Sequence, residues 1–337
     1  FNIEVIPGVT ANQPNDMSLC DNNDGEAIFD LTQAEAEIIG MQNPGSLNIS
    51  YHESQNDADA GTNPLNANNY LSEAYQNTIF VRVANASDVS CYDTTFFELN
   101  IFDTPIVPTV TDWLVCDDNN DGQFIFDFTQ KVDEIIAGDN GLSVSFYTNQ
   151  TDADVAQNRI NGSFENSVNP QMVYFRLENA NNPNCYVIGD FDLRVFDSPT
   201  AYVASDFIIC DMDESGVYSF DLSQKDAEVL NGQDATIYKV SYHDTEQGAN
   251  DNLNPLSKNG YQNSIYNETL WARVQHISLN SCYDVTSFNL IINPLPQPVL
   301  EERYVICPDS PDLIIDGGDF ESWSWQGANG IELSTTR

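Results

Sequence analysis

The chain has 337 residues, with 52 acidic and 11 basic side chains and a formal net charge of −41; it is long enough for several domains and too acidic to bind nucleic-acid phosphates or an anionic membrane surface. Hydrophobic residues make up 41% and aromatic residues 11%, including 18 Phe and 15 Tyr, so packed cores are expected rather than acidic disorder. No apolar run approaches the ~18 residues of a spanning helix, so direct membrane insertion is not expected.

Seven cysteines, at 20, 91, 116, 185, 210, 282 and 307, order the chain into a repeat. Residues 1–7, ending in Val5-Ile6-Pro7, match the closing strand of each later unit and read as the last strand of a preceding repeat. Repeat 1 covers 8–105. Strands are expected at 27–31, 47–53, 78–84 and 94–102, where Val, Ile, Phe and Tyr alternate with polar residues. Thr32-Gln33-Ala34-Glu35 has the form of a capping box and predicts a short helix to about Gly40. The polar stretch from Ser54 to Asn77 reads as loop. Repeats 2 and 3, at 106–199 and 200–296, carry the same signals, including Phe-Asp at 126–127 and 220–221 and Cys-Tyr at 185–186 and 282–283. Prolines at 105, 108, 199, 294, 296 and 298 stiffen the joints. Residues 297–337 begin a different, truncated β-sandwich module. About seven short strands per unit give the expected fold class: all-β, tandem immunoglobulin-like β-sandwich repeats of about 95 residues with one disulfide each.

Within each repeat the two cysteines stand some 70 residues apart, and no C-x2-C pair suggests metal ligation. The expected disulfides are Cys20–Cys91, Cys116–Cys185 and Cys210–Cys282, which place the chain in an oxidising compartment. The partner expected for Cys307 lies beyond Arg337.

After the first cysteine of each repeat comes an acidic loop: Asp21, Asn23 and Asp24; Asp117, Asn119 and Asp121; Asp211, Asp213 and Ser215; each ends in glycine. Alternate hard oxygens on a sharp turn are what Ca2+ requires, so calcium is the one cofactor expected. The same residues also make an ordinary turn with no ion. Asp30, Asp127 and Asp221 are candidates for an extra ligand or for an ion pair. Arg82, Arg176 and Arg273 recur once per repeat in mid-strand and are expected to form that structural ion pair. No catalytic constellation stands out, and no enzyme is expected. His52 and His243 share one slot, filled by Tyr147 in repeat 2, which marks scaffold variation.

The pattern C-D-x(3–4)-[DS]-G, then F-D-[LF]-[TS], a strand around arginine and a closing C-Y resembles tandem modules of large surface proteins of gliding bacteria. Those proteins are exported by the type IX system with a type-B sorting domain. Ser322-Trp323-Ser324-Trp325-Gln326-Gly327 is similar to a module that often precedes that domain. The resemblance implies an extracellular, outer-membrane-attached adhesin that has passed through the periplasm. Its expected partners are other repeats of the same longer chain, surface polysaccharide or other cell-surface proteins. A glycan-binding array and a structural filament subunit are the alternative functions.

Overall fold

The computed structural model describes residues 8–306, 308 and 313–336. The strand expected at 1–7, and Cys307, lie outside the described residues. The chain divides into two compact units, 1–117 with 121–195 and 118–120 with 196–337.

In the first unit, repeat 1 consists of β1 (Met17–Asp21), β2 (Ala27–Phe29), α1 (Glu35–Ile39), β3 (Leu47–His52), α2 (Gln55–Ala60), β4 (Tyr70–Ser72), β5 (Gln76–Asn85) and β6 (Asp88–Asp103). The main sheet runs β1-β6-β5-β3. β1 pairs with β6 in parallel, whereas β5 pairs antiparallel with both β6 and β3. β2 and β4 form a separate two-stranded ribbon. Period-2 alternation sends Ile79, Val81 and Val83 of β5 and Phe97, Leu99 and Ile101 of β6 into one core. Phe29 and Leu31 come from the opposite layer and Tyr51 from β3. Each such side chain stabilises the fold by roughly 1.5–3 kcal/mol relative to exposure.

Repeat 2 consists of β7 (Trp113–Asp117), β8 (Ile125–Asp127), α3 (Thr129–Ile136), β9 (Leu142–Tyr147), α4 (Gln150–Asp154), β10 (Ser163–Glu165), β11 (Gln171–Asn179) and β12 (Asn182–Asp197). Its sheet order, β7-β12-β11-β9, is that of repeat 1. In the second unit, repeat 3 has β13 (Phe207–Asp211), β14 (Ser219–Asp221), α5 (Asp226–Leu230), β15 (Tyr238–His243), α6 (Glu246–Asp251), β16 (Asn259–Gln262), β17 (Asn267–His276) and β18 (Tyr283–Pro294), in the order β13-β18-β17-β15. Farther on, β19 (Trp325–Gln326) pairs with β20 (Glu332–Ser334).

The architecture is the expected all-β, immunoglobulin-like repeat of about 95 residues, with about 14% helix. Two expectations change. Six strands form per repeat rather than seven. The stretch read as loop from Ser54 to Asn77 holds α2 and β4, because the Ser54 side chain accepts from the Asp57 amide and Gly61 ends the helix at φ 65°. Ala58, on the inner face of α2, is fully buried. The α1 segment ends at Gly40 as expected, but Asp30 caps a 3-10 turn, Leu31–Ala34, that leads into it, its carboxylate accepting from the Thr32 amide and hydroxyl.

Candidate functional site

In each repeat the features that recur in sequence fall into three local devices: an arginine clamp, an acidic turn and a cysteine pair.

The clamp is formed in mid-sheet. Arg273 donates through Nη1 to the carbonyls of Ala249 and Asn250, each at 2.9 Å, and through Nη2 to Asn280 at 2.6 Å. The first two carbonyls close α6 and the third lies in the turn before β18. The guanidinium lies over the Tyr283 ring at 3.5 Å from its centroid, and its Nε donates to Gln275 Oε1. Arg82 repeats the arrangement with Ala58, Asp59 and Val89 and stacks on Tyr92. Arg176 does so with Ala153, Asp154 and Pro183 over Tyr186. A planar fork suits this task because it reaches two helix-end carbonyls and a turn carbonyl while its face stacks on a ring. The expected ion pair with the Phe-Asp aspartate is therefore corrected. Asp30, Asp127 and Asp221 accept from the amides of Thr32, Thr129 and Ser223 and start the following turn. Only Arg176 adds a carboxylate, from Glu178 on its own strand. The tyrosine of each Cys-Tyr pair is the stacking partner that sequence reasoning missed.

The acidic loops close on themselves. Asp21, Asp117 and Asp211 are buried, and each accepts the amide of the loop glycine, at 2.7, 2.7 and 3.0 Å. The third glycine, Gly216, sits at φ +67°, where an added Cβ would lie 2.9 Å from the Tyr266 ring. Asp21 also takes the Asn23 amide, Asp24 the Glu26 amide, Asp121 the Gln123 amide and Asp213 the Ser215 amide. Hydrogen bonds from Ser215 hold the Asp213 carboxyl below the usual aspartate range. The third loop differs in one respect: Asp211 Oδ1 is buried and has no hydrogen-bond partner, while its Oδ2 also receives Tyr266 Oη at 3.2 Å. Among the described residues no three His, Cys, Asp or Glu side chains are grouped as a ready metal site.

The histidines fill a polar slot in the scaffold. His52 Nδ1 meets Thr62 O and Nε2 meets Ser50 Oγ, and His243 repeats both contacts with Leu253 and Ser241. In repeat 2, Tyr147 Oη meets Ser145 Oγ in their place.

The cysteines pair between repeats. Cys20 of β1 is bonded to Cys185 of β12, with an S–S distance of 2.07 Å and a sequence separation of 165. Cys116 and Cys282 are also disulfide-bonded, whereas Cys91 and Cys210 are free, the first half-buried and the second exposed. The pairings Cys20–Cys91, Cys116–Cys185 and Cys210–Cys282 are thus all overturned. Strand register supplies the reason. The parallel pairing sets Cys20 opposite Phe102, eleven residues along β6 from Cys91. At ~3.3 Å per residue that is roughly 36 Å, against a Cα separation of under ~7 Å for any disulfide. Cys210 stands opposite Asn293 and is similarly far from Cys282. The joint around Cys20–Cys185 has a polar contact as well: Asn179 Nδ2 donates to the carbonyl of Asp103, the last residue of β6. In the second unit Tyr238 Oη donates to the carbonyl of Asp197, the last residue of β12.

These features define a class, tandem immunoglobulin-like repeats stapled to their neighbours by disulfides. The chain belongs to the Flavobacterium inter-domain disulphide bond domain family, whose model matches residues 16–105, 112–199 and 206–296. No curated protein matches it. Solved structures with a related course include Sidekick-1 immunoglobulin domains 1–4 (8% identity, TM-score 0.24, covering 85% of this chain and 76% of that one). Drosophila OTK extracellular domains 3–5 align at 6% identity and TM-score 0.27, covering 86% and 98%. Zebrafish RET cadherin-like domains 1 to 4 align at 12% and 0.19, covering 82% and 71%. At such scores the likenesses carry no functional weight. The disulfides fit an oxidising compartment outside the cytoplasm. Among the described residues no helix is long and apolar enough to cross a membrane.

Proposed function

We propose that the chain is part of the stalk of a cell-surface adhesin of a gliding bacterium. It is non-catalytic, exported through the periplasm by the type IX route and attached at the outer membrane. The observation that carries this reading is the Cys20–Cys185 disulfide between successive repeats. A bond of that kind adds nothing to a pocket inside one repeat, but it holds neighbours against separation. Cys116 and Cys282 are oxidised as well. Cys91 and Cys210 then take the matching cysteines of a preceding and a following repeat in a longer array. Other repeats are the first partners, with surface polysaccharide or surface proteins beyond them. Calcium belongs to this proposal at the third loop alone, where the bare Asp211 oxygen supports it.

The test is surface labelling of the bacterium that makes the protein, with antibody raised against repeats 1–3, alongside attachment of a strain lacking it. Labelling of intact cells and weaker attachment are expected. Labelling only after permeabilisation, or unchanged attachment, overturns the reading.

Glycan binding is supported by one separate observation. An open cavity of about 370 Å³ is lined by Trp323, Trp325, Phe320, Pro296 and Leu300, and aromatic faces of this sort stack on sugar rings. Binding of the chain to a diverse polysaccharide array, lost in Trp323→Ala, is the expected result on that reading; no binding leaves the stalk role alone.

A further inference from the structure

We infer that repeat 2 carries a binding site for a small aromatic monocarboxylate, in a cavity of about 240 Å³ beside Arg159 that repeat 3 plugs with its own side chains. The inference goes beyond the stalk reading and does not depend on it.

Backbone pairing fixes which positions correspond between repeats. The amides of Leu65, Ile160 and Leu256 donate, each at 2.8 Å, to the carbonyls of Tyr51, Phe146 and Tyr242. Phe146 of β9 therefore stands where the other repeats have tyrosine, and Arg159 stands where they have Pro64 and Pro255. Val132 of α3 lies three residues beyond Thr129, which Asp127 caps; Glu35 and Asp226 lie three beyond Thr32 and Ser223, which Asp30 and Asp221 cap. In the ribbons, Ser163 pairs with Asp127 and Asn259 with Asp221, so Gly162 takes the place of Lys258.

Repeat 3 fills this place with a polar plug. Tyr242 Oη donates to Asp226 Oδ1 at 2.9 Å and Lys258 Nζ to Asp226 Oδ2 at 2.7 Å, with the ammonium 5.6 Å from the centre of the Tyr242 ring. Repeat 2 replaces the phenol, the carboxylate and the ammonium together, with Phe146, Val132 and Gly162, and all three line the cavity. A Cβ added at Gly162 would meet nothing within 4 Å.

The lining suits a ring that bears one acid group. The floor is apolar: the buried rings of Phe128 and Phe146 stack at 4.6 Å and 25°, with Val132 and Ile160 beside them. A dry apolar cavity of ~150 Å³ holds benzene, so the larger space here has room for a ring and a short acidic arm. At the rim the helix acid of the other repeats is gone and a guanidinium has come in. Arg159 Nε donates to Asn161 Oδ1 at 3.3 Å, and Asn161 Nδ2 donates back to the Arg159 carbonyl at 3.0 Å, which positions the fork. Among the described residues Lys131, Arg176 and Arg194 of this repeat pair with carboxylates, and Arg159 does not. Its remaining N–H groups match the two oxygens of a carboxylate. Asp127 also reaches the rim, its Oδ1 held by the Thr129 amide and hydroxyl. That charge disfavours a dianion such as a phosphate ester and restricts the site to monoanions.

The probe is phenylacetate, added to the whole chain near pH 7 at low salt, with binding read by ligand-observed NMR. Saturable binding at one site is expected, about tenfold or more tighter than that of neutral phenylacetamide, which keeps the ring, or of acetate, which lacks it. That comparison needs no variant. Arg159→Ala should weaken phenylacetate binding by about tenfold or more, and Val132→Phe, which fills the floor, should abolish it while the repeat still melts cooperatively. No saturation by ~10 mM phenylacetate overturns the inference, since a charge-assisted contact over an apolar floor should reach at least that affinity. Equal binding of phenylacetamide, undiminished binding by Arg159→Ala, or full binding by folded Val132→Phe overturns it as well.

Discussion

Arg273 shows how one side chain holds several backbone ends at once. Its fork ties the last carbonyls of α6 to the turn before β18, and the Tyr283 ring covers its face. Of the two α6 carbonyls, that of Ala249 also accepts the Asn252 amide at 3.3 Å, so the fork matters most for the carbonyls of Asn250 and Asn280, and a buried acceptor left bare costs about 1–3 kcal/mol. Arg273→Ala should therefore destabilise repeat 3 by roughly 3 kcal/mol, lowering its melting temperature by roughly 10–20 °C for a domain of this size. Arg273→Lys should fall between, since an ammonium lacks the fork. Calorimetry reads both; a wild-type melt for the alanine variant would mean that the carbonyls find other donors. His276 gives a pH test. It is buried beside the rings of Phe196 and Tyr238, and burial lowers its pKa below the ordinary histidine value, against the opposing pull of Asp197. The unfolded chain then binds the proton more readily than the folded one. Its contribution to stability is complete above about pH 6.5 and is lost as pH falls through that value toward the folded pKa. The wild-type melting temperature should fall between pH 7 and 5.5 more steeply than that of His276→Asn; parallel slopes would remove His276 as the cause.

At the scale of elements, what the sequence made legible divides sharply from what it hid. Alternation marked β3, β5 and β6 to within a few residues, because one face of each is core and the other is not. The arginine and the Cys-Tyr pair were both visible as repeated letters, but nothing in their spacing showed that the tyrosine ring lies under the guanidinium. The cysteine pairing was hidden for a stricter reason. First and second cysteines recur at a fixed offset, so pairing within a repeat and pairing with the next repeat satisfy the same arithmetic. Only the parallel register of β1 on β6, which carries Cys20 to the far end of the sheet from Cys91, separates the two. The acidic loops were legible as turns, with each leading aspartate capping its glycine amide. Among the described residues only the third loop leaves a buried carboxylate oxygen bare, Asp211 Oδ1. A weak site there, with a Kd near 10⁻⁴ M, would gain about 1.8 kcal/mol in ~2 mM Ca2+. The expected result is a rise of roughly 7–14 °C, relative to excess EDTA, in the repeat 3 transition only. Asp213→Asn should abolish the rise without changing the melt in EDTA. No shift would make the third loop a turn like the other two.

For the molecule as a whole, charge and covalent linkage act in opposite directions. With 52 acids against 11 bases, the chain carries far more negative than positive charge. The ion pairs that do form include local ones, such as Lys225–Glu228 and Lys258–Asp226. Self-repulsion of this kind destabilises compact states and is screened by salt, since the Debye length shrinks from ~30 Å at 0.01 M to ~3 Å at 1 M. The disulfide works from the other side. Closing a 165-residue loop restricts the unfolded chain by about 5 kcal/mol in the chain-entropy model, and it does so whatever the ionic strength. The two effects can be told apart by chemical denaturation in urea, which adds no ions. Unfolding free energy should rise as NaCl goes from 0.01 to 1 M, and by a similar amount in oxidised and reduced protein, because screening acts on charges that the disulfide does not touch. Reduction should lower stability at every salt concentration. If stability instead fell with added salt, the few ion pairs would outweigh the net repulsion, and the large negative charge would have to be balanced by contacts other than those that hold each repeat together.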